Sequence, residues 1–110
     1  MDEPKRLICR DALSKFIPKK NKNLVTEIED TIYNHVFKKA SDKSISTSFE
    51  SKQFTTMYIE VARKIIDNLN PNSYIKNDYL LNAILKKFIK VNDLVILSPQ
   101  ELYPSRWKDL

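Results

Sequence analysis

Val25-Thr26-Glu27-Ile28-Glu29-Asp30-Thr31-Ile32-Tyr33-Asn34-His35-Val36-Phe37 is the stretch that decides the fold class. Val25, Ile28, Ile32 and Val36 recur at spacings of three and four, which stacks them on one face of an α-helix. Tyr33 and Phe37 flank that stripe. The pattern predicts a helix over about residues 25–39, with Thr26 and Glu29 spaced as a capping box at its start. In that reading Glu29-Asp30 is an acidic pair facing the first-turn helix dipole.

Working outward, the same periodicity returns on both sides. Asp2 and Glu3 precede Pro4 in the arrangement of a cap followed by proline at the first helical position. Cys9, Ala12 or Leu13, and Phe16 then repeat at helical spacing until Pro18, predicting a helix over about residues 4–17. Downstream, Phe54, Met57 or Tyr58, Val61, Ile65 and Leu69 mark a third helix over about 54–69, closed by Asn70-Pro71. A shorter helix over about 78–88, capped by Asp78 and carrying Leu80 or Leu81, Ile84 and Phe88, should follow. Ser98-Pro99-Gln100-Glu101 has a Ser cap, Pro at the first position and Glu at the third, which predicts a last helix over about 99–103. Residues 41–53 are Ser-rich and polar, and read as an exposed loop. Leu94-Val95-Ile96-Leu97 is a short apolar run that fits strand or loop. The expected architecture is all-α: a three-helix bundle in one domain, with short C-terminal helices. Its core should hold Cys9, Leu13, Phe16, Ile28, Ile32, Val36, Met57 or Tyr58, Val61 and Ile65.

Composition excludes several function classes. Glycine is absent from all 110 residues, so phosphate cradles that need glycine backbone angles are out. One cysteine, Cys9, excludes an internal disulfide and a cysteine-based zinc site. Cys9 lies on the first apolar stripe and reads as a small buried side chain. His35, the one histidine, lacks metal partners and should sit at the surface near the Tyr33 and Phe37 edge. Cys9 with His35 makes no nucleophile–base motif, so no catalytic residue is expected and the chain is not read as an enzyme. No stretch approaches the roughly 20 apolar residues of a membrane span. The first residues lack the apolar run of a secretory signal, which points to the cell interior.

Charge is uneven. The net charge is +5, yet residues 5–22 alone carry an excess of +6. Lys19, Lys20 and Lys22 form its densest part, and Lys86, Lys87 and Lys90 form a second group. The cations are 15 Lys against 4 Arg, so any nucleic-acid contact should be to phosphate rather than to base edges. A solvated face that serves solubility stays open beside that reading.

Four segments, in order, resemble the central domain of transcription elongation factor S-II. Arg6-Leu7-Ile8-Cys9-Arg10-Asp11-Ala12-Leu13 is similar to the family's opening helix, and Ile28-Glu29-Asp30-Thr31-Ile32-Tyr33 to its second-helix signature. Tyr58, Arg63 and Asn68-Leu69, followed by Asn70-Pro71, look like the third helix. Asp93-Leu94-Val95 with Leu97-Ser98-Pro99-Gln100-Glu101-Leu102 is similar to the closing segment. The loop from Ala40 to Thr55 is longer than in the family, the spacer before Asn70-Pro71 is missing, and Asn82 stands where many members have Gly. The ending Leu102-Tyr103-Pro104-Ser105-Arg106-Trp107 resembles S-II homologues of large DNA viruses, and the bias toward Lys, Ile and Asn suits an AT-rich genome.

The resemblance implies a monomeric module that docks on the largest subunit of a multisubunit RNA polymerase. It implies a nuclear location for a cellular protein, and host cytoplasm or virion for a viral one. Polymerase-facing residues are expected on the third helix, with Arg63 and its exposed neighbour Lys64, followed by Lys76; Lys19, Lys20 and Lys22 are the alternative patch. In the family a separate C-terminal zinc ribbon stimulates transcript cleavage. Residues 1–110 cannot form it, so no cofactor is expected here and the sequence has the look of an excised central domain or a natural truncation. Two other readings stay open: a basic helical domain binding nucleic acid non-specifically, and the same module in a chromatin-associated, polymerase-tethering protein.

Overall fold

The structure, a computed structural model, describes residues 3–104. Asp2 and residues 105–107 of the sequence reading lie outside them. All regular structure among the described residues is helical: α1 (Pro4–Ser14), α2 (Lys22–Asp42), α3 (Lys52–Leu69), α4 (Leu80–Leu85) and α5 (Pro99–Leu102), with 3₁₀ turns at Lys19–Asn21 and Val91–Asp93. α2 packs against both α1 and α3, which also touch one another, and against the Val91–Asp93 turn. No helix among the described residues is long and apolar enough to cross a membrane.

Local chemistry moves several boundaries. α1 stops at Ser14 rather than near residue 17 because Pro18 disfavours helical angles at Ile17, and the Ser14 hydroxyl turns back onto the Asp11 carbonyl at 2.6 Å. Phe16 therefore leaves the stripe and is only half-buried, while Ile17 enters the core. Glu3 caps α1, accepting from the Lys5 amide. α2 starts three residues before the predicted point, because the Lys19–Asn21 turn feeds straight into it. Glu29 and Asp30 consequently sit in the helix body, and the expected Thr26–Glu29 capping box does not form. In α3 the buried line is Phe54, Tyr58, Ala62, Ile65 and Leu69, which leaves Met57 and Val61 half-buried at its edge.

The Ser-rich stretch is less of a free loop than its composition suggests. α2 runs on to Asp42 and ends with Ser44 in the left-handed region (φ 56°), where the Ile45 amide reaches Ala40 O (2.8 Å) and the Ser44 amide reaches Ser41 O (3.1 Å). These two bonds make a Schellman motif, and Ile45 follows it onto the core. Phe49 packs edge-on against Phe54 and Tyr58, both ring centroids 5.0 Å away. Ser51 then caps α3 by accepting from the Phe54 amide. Two aromatic contacts anchor what was read as solvated.

The C-terminal third is held mainly by side chains bonding to backbone. Buried Asn77, not Asp78, caps α4: its Oδ1 accepts from the Tyr79 and Leu80 amides at 2.9 and 3.1 Å. Its Nδ2 donates to Leu102 O (2.9 Å) and to Asn68 Oδ1 (3.3 Å). The Ser98–Glu101 capping box forms as its spacing predicts, with amide-to-side-chain bonds of 3.1 and 3.2 Å in both directions. Leu94 is buried and the run to Leu97 is a turn, not a strand. Asn82 lies within α4; the left-handed residues are Ser44, Lys76 and Lys87.

A chain without glycine places Cβ atoms in all three left-handed positions, each at a cost of about 1–2 kcal/mol. Ser44 is exposed and makes no side-chain bond among the described residues. Ser44→Gly should therefore raise unfolding stability by about 1 kcal/mol, read as a higher urea midpoint at unchanged slope.

Candidate functional site

The strongest constellation in the molecule is a buried carboxylate. Glu29 has no solvent exposure, although it stands mid-helix on α2. Arg6 Nε donates to both its oxygens, at 3.0 and 2.9 Å, and Arg10 Nε donates to Oε1 at 2.8 Å. The Tyr58 hydroxyl closes the set by donating to Oε2 at 3.1 Å. The two arginines also share Asp30 through their Nη2 atoms, at 2.8 and 3.0 Å. Arg6 lies over the Tyr33 ring, 4.0 Å from its centroid. Arg6 and Arg10 reach the same acids because residues four apart share a helix face.

The electrostatics follow from this packing. Burial works to lower the Arg6 pKa, but the Glu29 hydrogen bond and the Glu29 and Asp30 charges prevail and raise it. Burial pushes the Tyr58 hydroxyl far up, reinforced by Cys9 and Glu29, so it stays a donor. Burial also raises the Cys9 thiol, which keeps it a poor nucleophile. Both Glu29 oxygens are engaged by side chains from α1 and α3, so the cluster ties the three long helices together. No group of His, Cys, Asp or Glu among the described residues could hold a metal ion.

The residues expected to face a polymerase do not form one patch. Arg63 is exposed on α3 and, among the described residues, is the one arginine outside the carboxylate cluster. It borders a shallow groove between α1 and α3, beside exposed Ile8 and Ile59. Lys64 points elsewhere. It is half-buried, donates to Leu97 O at 3.0 Å, and has its pKa lowered by desolvation, so it is a tie to the closing segment and not the exposed neighbour the sequence suggested. Lys76 is exposed, in the left-handed turn after α3, with its carbonyl accepting from Tyr103 Oη. Lys19, Lys20 and Lys22 are all exposed around the start of α2. The +6 stretch is not a single outer face, because Arg6 and Arg10 are folded inward.

No protein-family model, curated protein or solved structure matches the chain. The site therefore rests on its own geometry. The sequence reading missed Glu29 as the hub of that geometry. The available signal was the Arg6/Arg10 spacing opposite an acidic pair on a stripe otherwise made of Val and Ile. Helical spacing puts Phe88 on the stripe of the fourth helix, yet α4 ends at Leu85 and Phe88 is 76% exposed. His35 is half-buried and lies within the field of Lys39 and Lys64.

Glu29→Ala should destabilise the fold by about 3–5 kcal/mol, since it removes the buried carboxylate on which Arg6, Arg10 and Tyr58 converge and leaves the two arginines with less compensating charge in a largely desolvated setting. Tyr58→Phe should lose only about 1.5–3 kcal/mol, the range for one bond to a charged acceptor; paired urea titrations would rank the two. His35 has its pKa lowered below 6.5 by burial and then by Lys39 and Lys64. The unfolded chain thus binds that proton more readily, so His35 lowers stability as pH falls below 6.5. His35→Gln should flatten this acid-side slope in thermal melts.

Proposed function

We propose that the chain is a polymerase-binding module of the S-II type, a three-helix bundle that docks on the largest subunit of a multisubunit RNA polymerase. One observation carries the reading. The four segments that resemble the S-II central domain are the segments that hold one another in place. Arg6 and Arg10 of the first meet Glu29 and Asp30 of the second, and Tyr58 of the third closes on the same carboxylate. Asn68 of the third is joined through Asn77 to Leu102 of the fourth, and Lys64 reaches Leu97. Chance similarity among amphipathic helices would fall on apolar stripes alone; this one also takes in paired polar groups.

In such a module the signature residues preserve shape, and the partner is met by what they leave outside. Arg63 is the natural contact, since its fork can hold both oxygens of a polymerase carboxylate. Lys76 adds a point charge, while Lys64 is already engaged. The chain binds and positions; cleavage chemistry belongs to a zinc ribbon that residues 1–110 do not contain.

Polymerase capture without nucleic acid tests the proposal. Wild-type chain should retain the largest subunit, and Arg63→Glu with Lys76→Glu should slow association and weaken retention about tenfold or more, with unchanged circular dichroism. Residues 1–110 should not stimulate transcript cleavage in a stalled complex, and should inhibit an intact factor by competition. Equal capture by the double variant and wild type would sink the choice of face; no capture at all would sink the function.

A further inference from the structure

The basic groups at the start of α2 and after α4 are far apart in sequence and meet in space. A cleft of about 690 Å³ runs between them, with Lys20 on one wall and Lys87 and Lys90 on the other. Among the described residues, Glu27 is the one acid along it. Asn21 and Asn92 also line it, and Asn21 Oδ1 is buried without a hydrogen-bond partner. Phosphates would satisfy the lysines, but an orphaned acceptor calls for a donor. A ribose hydroxyl is such a donor, and a phosphate or carboxylate is not.

The far side of the same segment carries an aromatic platform. Lys87 is left-handed (φ 63°), with its amide on Ile84 O (3.0 Å) and the Phe88 amide on Ala83 O (2.8 Å). This is the Schellman arrangement that also ends α2. There the following apolar residue, Ile45, packs onto the core; here Phe88 stays 76% exposed. Two amide bonds fix its backbone while the ring faces solvent beside Tyr79 and Lys86. An exposed ring on a fixed backbone, with Lys86 beside it and Asp78 as the one acid along its rim among the described residues, is a stacking surface for bases.

We propose that single-stranded RNA crosses the 86–90 segment, its phosphates held by Lys20, Lys87 and Lys90 and a base stacked on Phe88. This is separate from the polymerase contact, for it uses neither Arg63 nor Lys76. The test is fluorescence anisotropy with a labelled oligouridylate of about 12 nucleotides, at about 50 and about 200 mM salt. Wild type should bind, more weakly at the higher salt. Lys20→Gln with Lys90→Gln should reduce affinity about tenfold and flatten the log–log salt slope by about 1.4, whereas Lys39→Gln with Lys43→Gln, at the other end of α2 and roughly 30 Å away, should not.

Phe88→Ala should bind at least about fivefold more weakly, with an unchanged melt because the ring is exposed. Oligothymidylate of equal length should bind more weakly than oligouridylate, and a glutamate peptide should not compete. Absence of binding at the lower salt, full affinity in Phe88→Ala, or equal loss in the Lys39/Lys43 variant would each overturn the proposal. Equal affinity for DNA would overturn its assignment to RNA, and competition by the acidic peptide would replace RNA with a protein partner.

Discussion

A single buried carboxylate sets the packing of the three long helices. Burying Glu29 without partners would be prohibitive, so α1 is confined to the axial position at which both Arg6 and Arg10 reach it. Apolar stripes alone tolerate sliding, since one Ile is much like the next. A doubly held carboxylate does not: a one-turn shift of α1, about 5.4 Å, would carry one of the two arginines out of its reach. Tyr58 extends the same constraint to α3. The cluster therefore contributes register more than net stability, and Asp30, whose side chain is 47% exposed, tempers the local excess of positive charge at small desolvation expense.

The C-terminal third has a different logic. Its helices are four and six residues long, too short to bury much surface or to persist alone. Asn77 and Lys64 compensate by binding carbonyls and amides that the short helices and turns leave open, and Asn68 on α3 holds Asn77 in place by accepting from its Nδ2. Buried Leu80, Ile84, Leu94 and Leu102 supply the apolar part. Side chains from α3 thus serve as fasteners for a segment that would otherwise be a loop.

This division explains what the sequence made legible. The all-helical class, the three long helices and the Ser98–Glu101 box were readable because apolar period and capping chemistry are local. Boundaries at Ser14 and Lys22 were harder: the end at Ser14 depends on a proline four residues on, and the start at Lys22 on a preceding 3₁₀ turn. Phe49 and Ile45 were hidden by five serines among residues 41–53, although two anchors suffice to pin such a stretch. Glu29 and Lys64 were misassigned because charge normally marks the surface. Only long-range partners, 23 and 33 residues away, reveal where these two side chains go.

Folding also redistributes the charge that composition announces. Two of the four arginines are consumed by Glu29 and Asp30, so the densest basic stretch of the sequence contributes less to the exterior than its count implies. Among the described residues, Arg63 remains outside beside the groove between α1 and α3, and one group of the exposed lysines gathers where α2 begins and α4 ends. The groove and the cleft share no residue. Arginine faces a surface on which a directional carboxylate pair is useful; lysines line a cleft on which undirected attraction to a flexible polyanion is enough. The same network that fixes the helices thereby separates the two kinds of cation. The two proposed contacts, to a partner protein and to RNA, therefore draw on different side chains of a 110-residue chain.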